Sequence, residues 1–360
     1  MKRRITIAIS FLATLWVFDN AVRRWDDRLA AYHMDRIDRK LAVLESLDTP
    51  PEVLIFGSSR TAYAMAPDAF ERITGLRTFN FGIPASKVVE WRLIAREALK
   101  RARPRVIVLG VNASAIRADN QPIYAAQYLF ESSDFLEYTL AHGWSTDMAA
   151  GYFERELMRA CPTVRRNHEI KFWIQEQIIA AFPKHAQLAR ERREMVAELS
   201  ERDGFNHPWL FQKRMRNLQE QIDEQGDDFV TKGSIPTFDS AASSMAELDR
   251  LLSELKATRI PVVVCYLPNS PRTERRWRIV EPGMKSEIEN ACRRCDVAFV
   301  DAAPTDIVRS NGDYLDESHV GLPLARAISE HVARRIVALG VLDGDGPVYA
   351  SSRDEGRLGP

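Results

Sequence analysis

The sequence has no excess of charge of either sign. Its 50 lysine and arginine residues balance 50 aspartate and glutamate residues, so the formal net charge is zero. No global electrostatic field therefore draws the protein onto nucleic acid or onto an anionic surface. We accordingly expect no nucleic-acid partner.

Cysteine is scarce, and the patterns that hold metals or phosphates are missing. Four cysteines in 360 residues are too few for a scaffold built on disulfides. Cys292 and Cys295 form one C-x-x-C without the second pair that would complete a zinc site, so free thiols or a local disulfide are expected. The run Gly57-Ser58-Ser59-Arg60 lacks the Gly-Lys-Ser/Thr ending of a phosphate loop. We expect neither a metal nor another cofactor.

Long hydrophobic runs are also missing, except near the N-terminus, where Lys2, Arg3 and Arg4 precede an apolar stretch at 5–18. As a helix this stretch would span about 21 Å, against a hydrocarbon core of roughly 30 Å. No small-x-small cleavage site follows it. We favour an uncleaved signal anchor at 1–22, with a cleaved signal or a buried or peripheral amphipathic helix as alternatives. Basic residues before the span would place the following domain outside the cytoplasm.

Residues 23–50 are expected to form an amphipathic stalk helix. Apolar residues recur there at helical spacing among many charges, and Pro50-Pro51 ends the pattern. The members of the stripe are Trp25, Leu29, Tyr32, Ile37, Leu41 and Leu44.

Five short apolar segments predict the strands of a parallel sheet covered on both faces, because none of them alternates with polar residues. They lie at 53–56, 78–81, 106–109, 261–267 and 297–300. Helical patterns separate or follow them at 62–73, 86–103, 242–258, 282–294 and 322–339. The alternation predicts a doubly wound α/β domain over residues 51–340.

About 140 residues separate the third and fourth strands, which is longer than any ordinary connection. The region is rich in Arg, Glu, Gln and Ala, so we predict a helical insertion at about 115–240. Its aromatic residues would either pack onto the sheet domain or form a lid or substrate groove; they include Phe172, Trp173, Trp209 and Phe211. The tail at 341–360 is dominated by Gly, Asp, Ser and Pro and is expected to be disordered.

Polar residues with catalytic potential follow the predicted strands. Ligands of open α/β sheets bind beyond the carboxyl ends of the strands. Ser59 follows the first strand, and Asp316 and His319 follow the fifth. A serine at a strand-to-helix turn can act as nucleophile if a histidine takes its proton and a carboxylate orients the imidazole. Singly, Gly-Ser-Ser is a common turn before a helix, and Asp-x-x-His is compatible with a helix cap and a solvent-facing histidine.

Two further positions offer donors for an oxyanion hole. Gly82 follows the second strand and has a backbone N–H without side-chain hindrance, and Asn112 follows the third strand with an amide N–H. Together with the N–H of Ser59, these groups would stabilise a tetrahedral oxyanion. Alternatively, Gly82 is only a turn residue and Asn112 caps the next segment.

This order of motifs resembles the SGNH (GDSL-like) hydrolase superfamily. The resemblance covers residues 51–112 and 260–338, with Gly-x-Ser, a lone Gly, Gly-x-Asn and Asp-x-x-His each in the family's position. It implies a flavodoxin-like SGNH fold with Ser59 as nucleophile, His319 as base paired with Asp316, and Ser59, Gly82 and Asn112 as oxyanion donors. The chain departs from the family in having Ser58 before the nucleophile and Ala113 after Asn112, where the family usually has Asp. Ser58 is thus the alternative nucleophile.

The Gly-Ser-Ser form, the expected anchor and the long insertion are similar to the membrane-tethered branch of that superfamily, which includes the D-alanyl-transfer protein of teichoic acid synthesis and exopolysaccharide O-acetyltransferases. The resemblance implies O-acyl transfer to, or removal from, a cell-surface polysaccharide or related glycan. A membrane-embedded acyl exporter is the partner expected for a transferase. The alternatives are a non-catalytic scaffold with the SGNH fold in a surface-polysaccharide assembly, and a secreted lipase-like esterase.

Overall fold

The structure is a computed structural model. It describes residues 2–25, 36–84, 86–117, 131–144, 146–166, 202–205, 217–226, 242–278, 281–303 and 307–342, together with 170–171, 173–174 and 177. The described residues fall into two compact units. One draws on residues 1–39 and 123–197, and the other, which contains the sheet, draws on residues 40–122 and 198–360.

The sheet has five parallel strands, as the sequence predicts. They are β1 (Val53–Gly57), β2 (Thr78–Gly82), β3 (Val106–Val111), β4 (Val262–Tyr266) and β5 (Ala298–Asp301). Their order is β2-β1-β3-β4-β5. The chain thus winds outward in both directions from the neighbouring β1 and β3, which is where open α/β sheets place their ligands.

Helices precede, connect and follow the strands. Those before β2 are α1 (Lys2–Arg24), α2 (Arg36–Ser46), α3 (Ser59–Ala64) and α4 (Pro67–Thr74). Those between β2 and β4 are α5 (Val88–Arg101), α6 (Ala113–Arg117), α7 (Ser132–His142), α8 (Thr146–Ala160), α9 (Pro162–Arg165), α10 (Leu218–Gln225) and α11 (Ala242–Ala257). After β4 come α12 (Pro271–Arg276), α13 (Glu281–Cys295), a 3₁₀ turn (Asn311–Asp313) and α14 (Leu322–Ala338).

The helix predicted at 62–73 is in fact two helices, α3 and α4. Pro67 is the first residue of α4, where its missing N–H costs nothing, but it cannot continue α3. The break leaves α3 only six residues long, directly above the sheet edge. The single helix predicted after β1 is therefore a short helix at the carboxyl end of the sheet followed by a separate helix.

The core lies on both faces of the sheet. On one face, alternate strand residues such as Ile55 and Val108 pack with Ile328 and Val332 of α14. Residues that point to the other face, such as Leu54, are equally buried, and α5 and α11 contact the strands there. Burial on both faces explains why the strands lack polar alternation.

The expected anchor at 1–22 forms a helix, α1, but it is not found as a membrane-spanning one. Among the described residues, no helix combines the length and the hydropathy that crossing a membrane requires. In α1 the apolar stretch is bounded by basic residues at its start and by Asp19, Arg23 and Arg24 at its end. Asp19 accepts a hydrogen bond from the Thr163 N–H at 2.9 Å.

The C-terminal half of the predicted stalk packs against the sheet. Lys40 in α2 is fully buried and donates to the carbonyl oxygens of Asn80 and Gly82, at 2.8 Å each. Because β2 is an edge strand, these bonds satisfy backbone groups that would otherwise be open to another chain. Residues 26–35 of the predicted stalk lie outside the described residues.

The insertion is mostly helical where the structure describes it, although residues 202–205 form a turn. Helices α7, α8 and α9 belong to the first unit, whereas α10 belongs to the sheet unit and buries Leu218 in its core. Trp173 packs against Trp25 within the first unit, with ring centroids 5.8 Å apart. The other aromatic residues singled out in the sequence, Phe172, Trp209 and Phe211, lie outside the described residues, as does the tail beyond 342.

Candidate active site

Ser59, His319 and Asp316 form a continuous chain of hydrogen bonds. The Ser59 Oγ lies 2.9 Å from His319 Nε2, and His319 Nδ1 lies 2.7 Å from Asp316 Oδ2. The serine and the histidine are 260 positions apart in the sequence. This is the geometry in which a histidine accepts the serine proton while a carboxylate fixes its tautomer.

Ser59 is placed by the turn from β1 into α3. Ser58 is the N-cap residue of α3, and Ser59 is its first helical residue. Ser58 is 8% exposed, and Ser59, not Ser58, contacts His319. The first N–H groups of a helix have no intrahelical acceptor, which makes the Ser59 N–H a suitable oxyanion donor.

Three glycines at the carboxyl ends of adjacent strands make room for α3. Gly57 pairs in register with Gly82 on one side and with Gly110 on the other. A Cβ atom on Gly57 would lie 2.0 Å from Thr61 Oγ1, and one on Gly110 would lie 2.3 Å from the same atom. One on Gly82 would lie 2.5 Å from the Ala62 nitrogen. Because these side chains are absent, α3 can lie directly against the carboxyl ends of the strands. This close approach sets how far Ser59 lies from the sheet.

A tight hairpin carries the other two members of the chain. Tyr314 and Val320 form an antiparallel bridge, and the Leu315 N–H donates to the His319 carbonyl oxygen at 2.7 Å. Inside this hairpin, Asp316 Oδ1 accepts from the Ser318 N–H at 2.7 Å and from the His319 N–H at 2.8 Å. One oxygen of Asp316 thus holds the backbone while the other faces the imidazole. The N-cap of α14 is Gly321, so Asp316 does not act as the helix cap.

The site holds Asp316 ionised. Burial alone would raise the pKa of this carboxyl, but the hydrogen bonds from His319 and Ser318 and the charge of His319 outweigh burial. The pKa of Asp316 is therefore well below its usual range. An ionised carboxylate stabilises the imidazolium that forms when His319 accepts a proton.

Two residues near the site were not among the candidates from the sequence. Tyr63 packs edge-on against the His319 ring, with centroids 5.4 Å apart and an interplanar angle of 86°. Its position one helical turn after Ser59 is the signal that could have revealed it. Arg60, the residue after Ser59, is buried and donates to the Asn269 side chain.

The candidate oxyanion donors both make hydrogen bonds of their own. The Gly82 N–H donates to Asn80 Oδ1 at 2.8 Å, so it would have to share this bond to serve an oxyanion. Asn112 is fully buried, and its Oδ1 accepts from the Ala115 N–H at 3.0 Å. That bond caps the segment after β3. It also fixes the orientation of the amide, because the oxygen must face Ala115 and Nδ2 is then the side chain's donor group.

In the part of the chain that the structure describes, no group of three or more His, Cys, Asp or Glu side chains is arranged to hold a metal ion. Cys265 and Cys292 are buried, and burial raises the pKa of both thiols, so they remain protonated within the core. Neither cysteine belongs to the hydrogen-bond chain. Comparison with protein-family models gives no match for this sequence, and comparison with curated proteins gives none either.

Proposed function

We propose that the protein is a serine enzyme of the SGNH type that forms an acyl-enzyme on Ser59. The observation that carries the proposal is the hydrogen-bond chain from Ser59 through His319 to Asp316. A nucleophile within reach of a base, which is in turn oriented by a third group, is the recurring arrangement of such enzymes. The same chain supports an enzyme over a non-catalytic scaffold, because a scaffold has no need of it.

The proposed reaction has two half-reactions. In the first, Ser59 Oγ forms a bond to the acyl carbonyl carbon while His319 Nε2 takes the hydroxyl proton. The tetrahedral intermediate then expels the leaving alkoxide, which receives that proton from His319. In the second, water or a sugar hydroxyl gives its proton to His319 and attacks the acyl carbon; the bond to Ser59 Oγ then breaks, and His319 returns the proton to Ser59 Oγ. Asp316 stabilises the imidazolium in both halves.

The proposed substrate is a cell-surface polysaccharide or related glycan, as the acceptor of an acyl group in a transferase or in its O-acylated form in an esterase, with acetyl as the acyl group. The support is the resemblance of the motif order to membrane-tethered SGNH proteins of surface-polysaccharide modification. For a transferase, a membrane-embedded acyl exporter would supply the donor. The same resemblance supports a sheet unit outside the cytoplasm, which reporter fusions would test.

A fluorophosphonate probe tests the chemistry directly, since it reacts with activated serines. Wild type and Ser58→Ala should be labelled, whereas Ser59→Ala and His319→Ala should not. Ser58→Ala is the matched control because its side chain makes no capping bond to α3. Failure to label folded wild-type protein would contradict the proposal, and labelling lost only in Ser58→Ala would move the nucleophile to that serine.

A second assay separates esterase from transferase. The protein is incubated with p-nitrophenyl acetate, with and without an oligosaccharide acceptor. Release of acetate with no acetylated sugar identifies an esterase, whereas acetylated oligosaccharide in the mass spectrum identifies a transferase. If a protein that the probe labels gives neither product, only the assignment of acetyl as the acyl group is contradicted.

A further inference from the structure

We propose that residues 267–273, the connection after β4 together with the first turn of α12, set the distance between Ser59 and His319. The two halves of the hydrogen-bond chain come from opposite ends of the sequence. The helix that carries Ser59 and the hairpin that carries Asp316 and His319 are each hydrogen-bonded to this third segment. Asn269 and Glu317 are the positioning residues through which the fastening acts.

Asn269 touches both halves. Its Oδ1 accepts a hydrogen bond from Arg60, the residue that follows the nucleophile in α3. Its carbonyl oxygen accepts from the Tyr314 hydroxyl at 2.7 Å, at the base of the hairpin that carries Asp316 and His319. Asn269 is fully buried, so these bonds are not exchanged with solvent. One residue therefore joins the nucleophile helix to the base hairpin.

Tyr314 and Arg309 both donate hydrogen bonds to the carbonyl oxygen of Asn269. Burial raises the pKa of Tyr314 to about 12, so its hydroxyl remains protonated and donates at neutral pH. Arg309 adds a second bond to the Asn269 carbonyl oxygen at 3.0 Å, and its guanidinium is paired with Glu274 of α12. Tyr314 and Arg309 thus hold the backbone of Asn269 from the hairpin side.

Glu317 provides a second fastening, inside the hairpin itself. Its carbonyl oxygen accepts from Ser270 N–H at 3.3 Å and from Thr273 Oγ1 at 3.0 Å. Its carboxylate accepts from Arg272 at 3.0 Å and from Arg276 at 2.9 Å, both in α12. Glu317 immediately follows Asp316, so a shift of its backbone would move the carboxylate that orients His319.

Burial makes the hydrogen bonds and ion pairs of Asn269 and Glu317 costly to break. Arg272 is 1% exposed, and a guanidinium removed from water in this way is costly unless its partner stays in place. The surface ion pair of Arg294 with Asp249 has similar distances, 2.8 Å, but lies on α11 and α13 with both side chains partly exposed. Arg294→Ala is therefore a control for the loss of an arginine–carboxylate pair remote from the site.

The inference rests on the proposed function, because positioning matters to catalysis only if Ser59 and His319 react. A displacement of about 1 Å at a reacting pair can cost about 100-fold in rate. In Asn269→Leu, which is similar in size but cannot accept from Arg60, we expect kcat for a small acyl ester to fall about 100-fold. KM should change little, since Asn269 is buried and is not among the groups proposed to contact the substrate. Asn269→Asp keeps the acceptor oxygen and should restore most of kcat.

The matching experiment on Glu317 compares Glu317→Leu with Glu317→Gln, which keeps one acceptor oxygen. Leucine should lower kcat and the rate of fluorophosphonate labelling, and glutamine should restore part of both. Arg294→Ala should match wild type in both measurements. The double variant Arg60→Leu/Asn269→Leu should lose less than the sum of the two single losses, since both changes remove the same Arg60–Asn269 bond.

The inference is overturned if folded Asn269→Leu keeps the wild-type kcat, or if its loss appears in KM with kcat unchanged. If that variant does not fold, Glu317→Leu decides the question: a folded Glu317→Leu that keeps the wild-type kcat and the wild-type rate of labelling overturns the inference. A wild type that the probe does not label would refute the proposed function instead. Crystal structures of wild type and Asn269→Leu would then test the positioning alone, by the separation of Ser59 Oγ and His319 Nε2. An unchanged separation would overturn it.

Discussion

Tyr63 and His319 meet edge to face, with ring centroids 5.4 Å apart. Tyr63 lies on the same short helix as Ser59, so α3 supplies both the nucleophile and a contact that orients the base. Aromatic pairs of this geometry are worth about 0.5–1.5 kcal/mol beyond their buried area. The contact therefore restricts the rotation of the imidazole in addition to its bonds to Ser59 and Asp316.

Two substitutions of Tyr63 separate the effect of its ring packing on kcat from the effect of its hydroxyl. Tyr63→Phe keeps the ring and should leave kcat close to wild type. Tyr63→Leu loses the edge contact and should lower kcat by up to about tenfold, the equivalent of roughly 1.4 kcal/mol. Steady-state hydrolysis of a small acyl ester by both variants checks this. Equal losses in the two variants would assign the effect to the hydroxyl instead.

Gly110 should be intolerant of any side chain. A Cβ atom there would lie 2.3 Å from Thr61 Oγ1 and 2.9 Å from Thr61 Cγ2, so α3 must move away from the sheet. We expect Gly110→Ala to lower the free energy of unfolding by about 1–3 kcal/mol, the usual cost of overpacking, and to slow labelling of Ser59. Urea denaturation and probe labelling measure the two effects.

The control and the rescue use the same contacts. A Cβ on Gly312 would meet nothing closer than Ser310 Oγ at 3.5 Å, so Gly312→Ala should be neutral. Removing both colliding Thr61 atoms in Gly110→Ala/Thr61→Ala should recover part of the stability, although the Thr61 bond to the Gly110 carbonyl oxygen is lost. A double variant less stable than the sum of the single changes would refute the collision.

The fold was predictable because its signal is local. Unbroken apolar segments such as 53–57 mark strands covered on both faces, and the residues after them mark the edge where the site forms. Proximity of Ser59, Asp316 and His319 follows from that edge together with the family resemblance. The break of the first helix at Pro67 was missed, although proline carried a local signal for it.

The support of the site was not predictable, because it depends on tertiary contacts. Nothing in the sequence around Asn269 indicates that its partners lie 209 and 45 positions away. The sequence predicts that the Gly82 N–H donates to the oxyanion, whereas in the structure it donates to Asn80 Oδ1. Its missing Cβ is what admits Ala62. A strand end gives a residue's location, whereas its partners depend on how the helices pack above it.

Asn112 can be tested for its two roles separately. Asn112→Asp keeps an oxygen that caps the Ala115 N–H, but it removes the NH₂ donor. If Asn112 donates to the oxyanion, the aspartate variant should lose about 2.7–4 kcal/mol of transition-state stabilisation in kcat/KM while the fold stays intact. Kinetics and circular dichroism of Asn112→Asp check this. Near-normal kinetics would leave Asn112 with the cap alone.

Asp316 should make the stability of the protein depend on pH in the acid range. Its pKa in the folded protein lies below the value of about 3.9 for an unfolded aspartate. The stability that it contributes is therefore complete above that unfolded value and is lost as the pH falls toward the folded one. The free energy of unfolding of wild type should exceed that of Asp316→Asn at neutral pH, and the difference should shrink below about pH 4. Urea titrations of both proteins from neutral to acid pH measure it. A difference that stays constant or grows on acidification would show that the carboxylate is not stabilised by its bonds to His319 and Ser318.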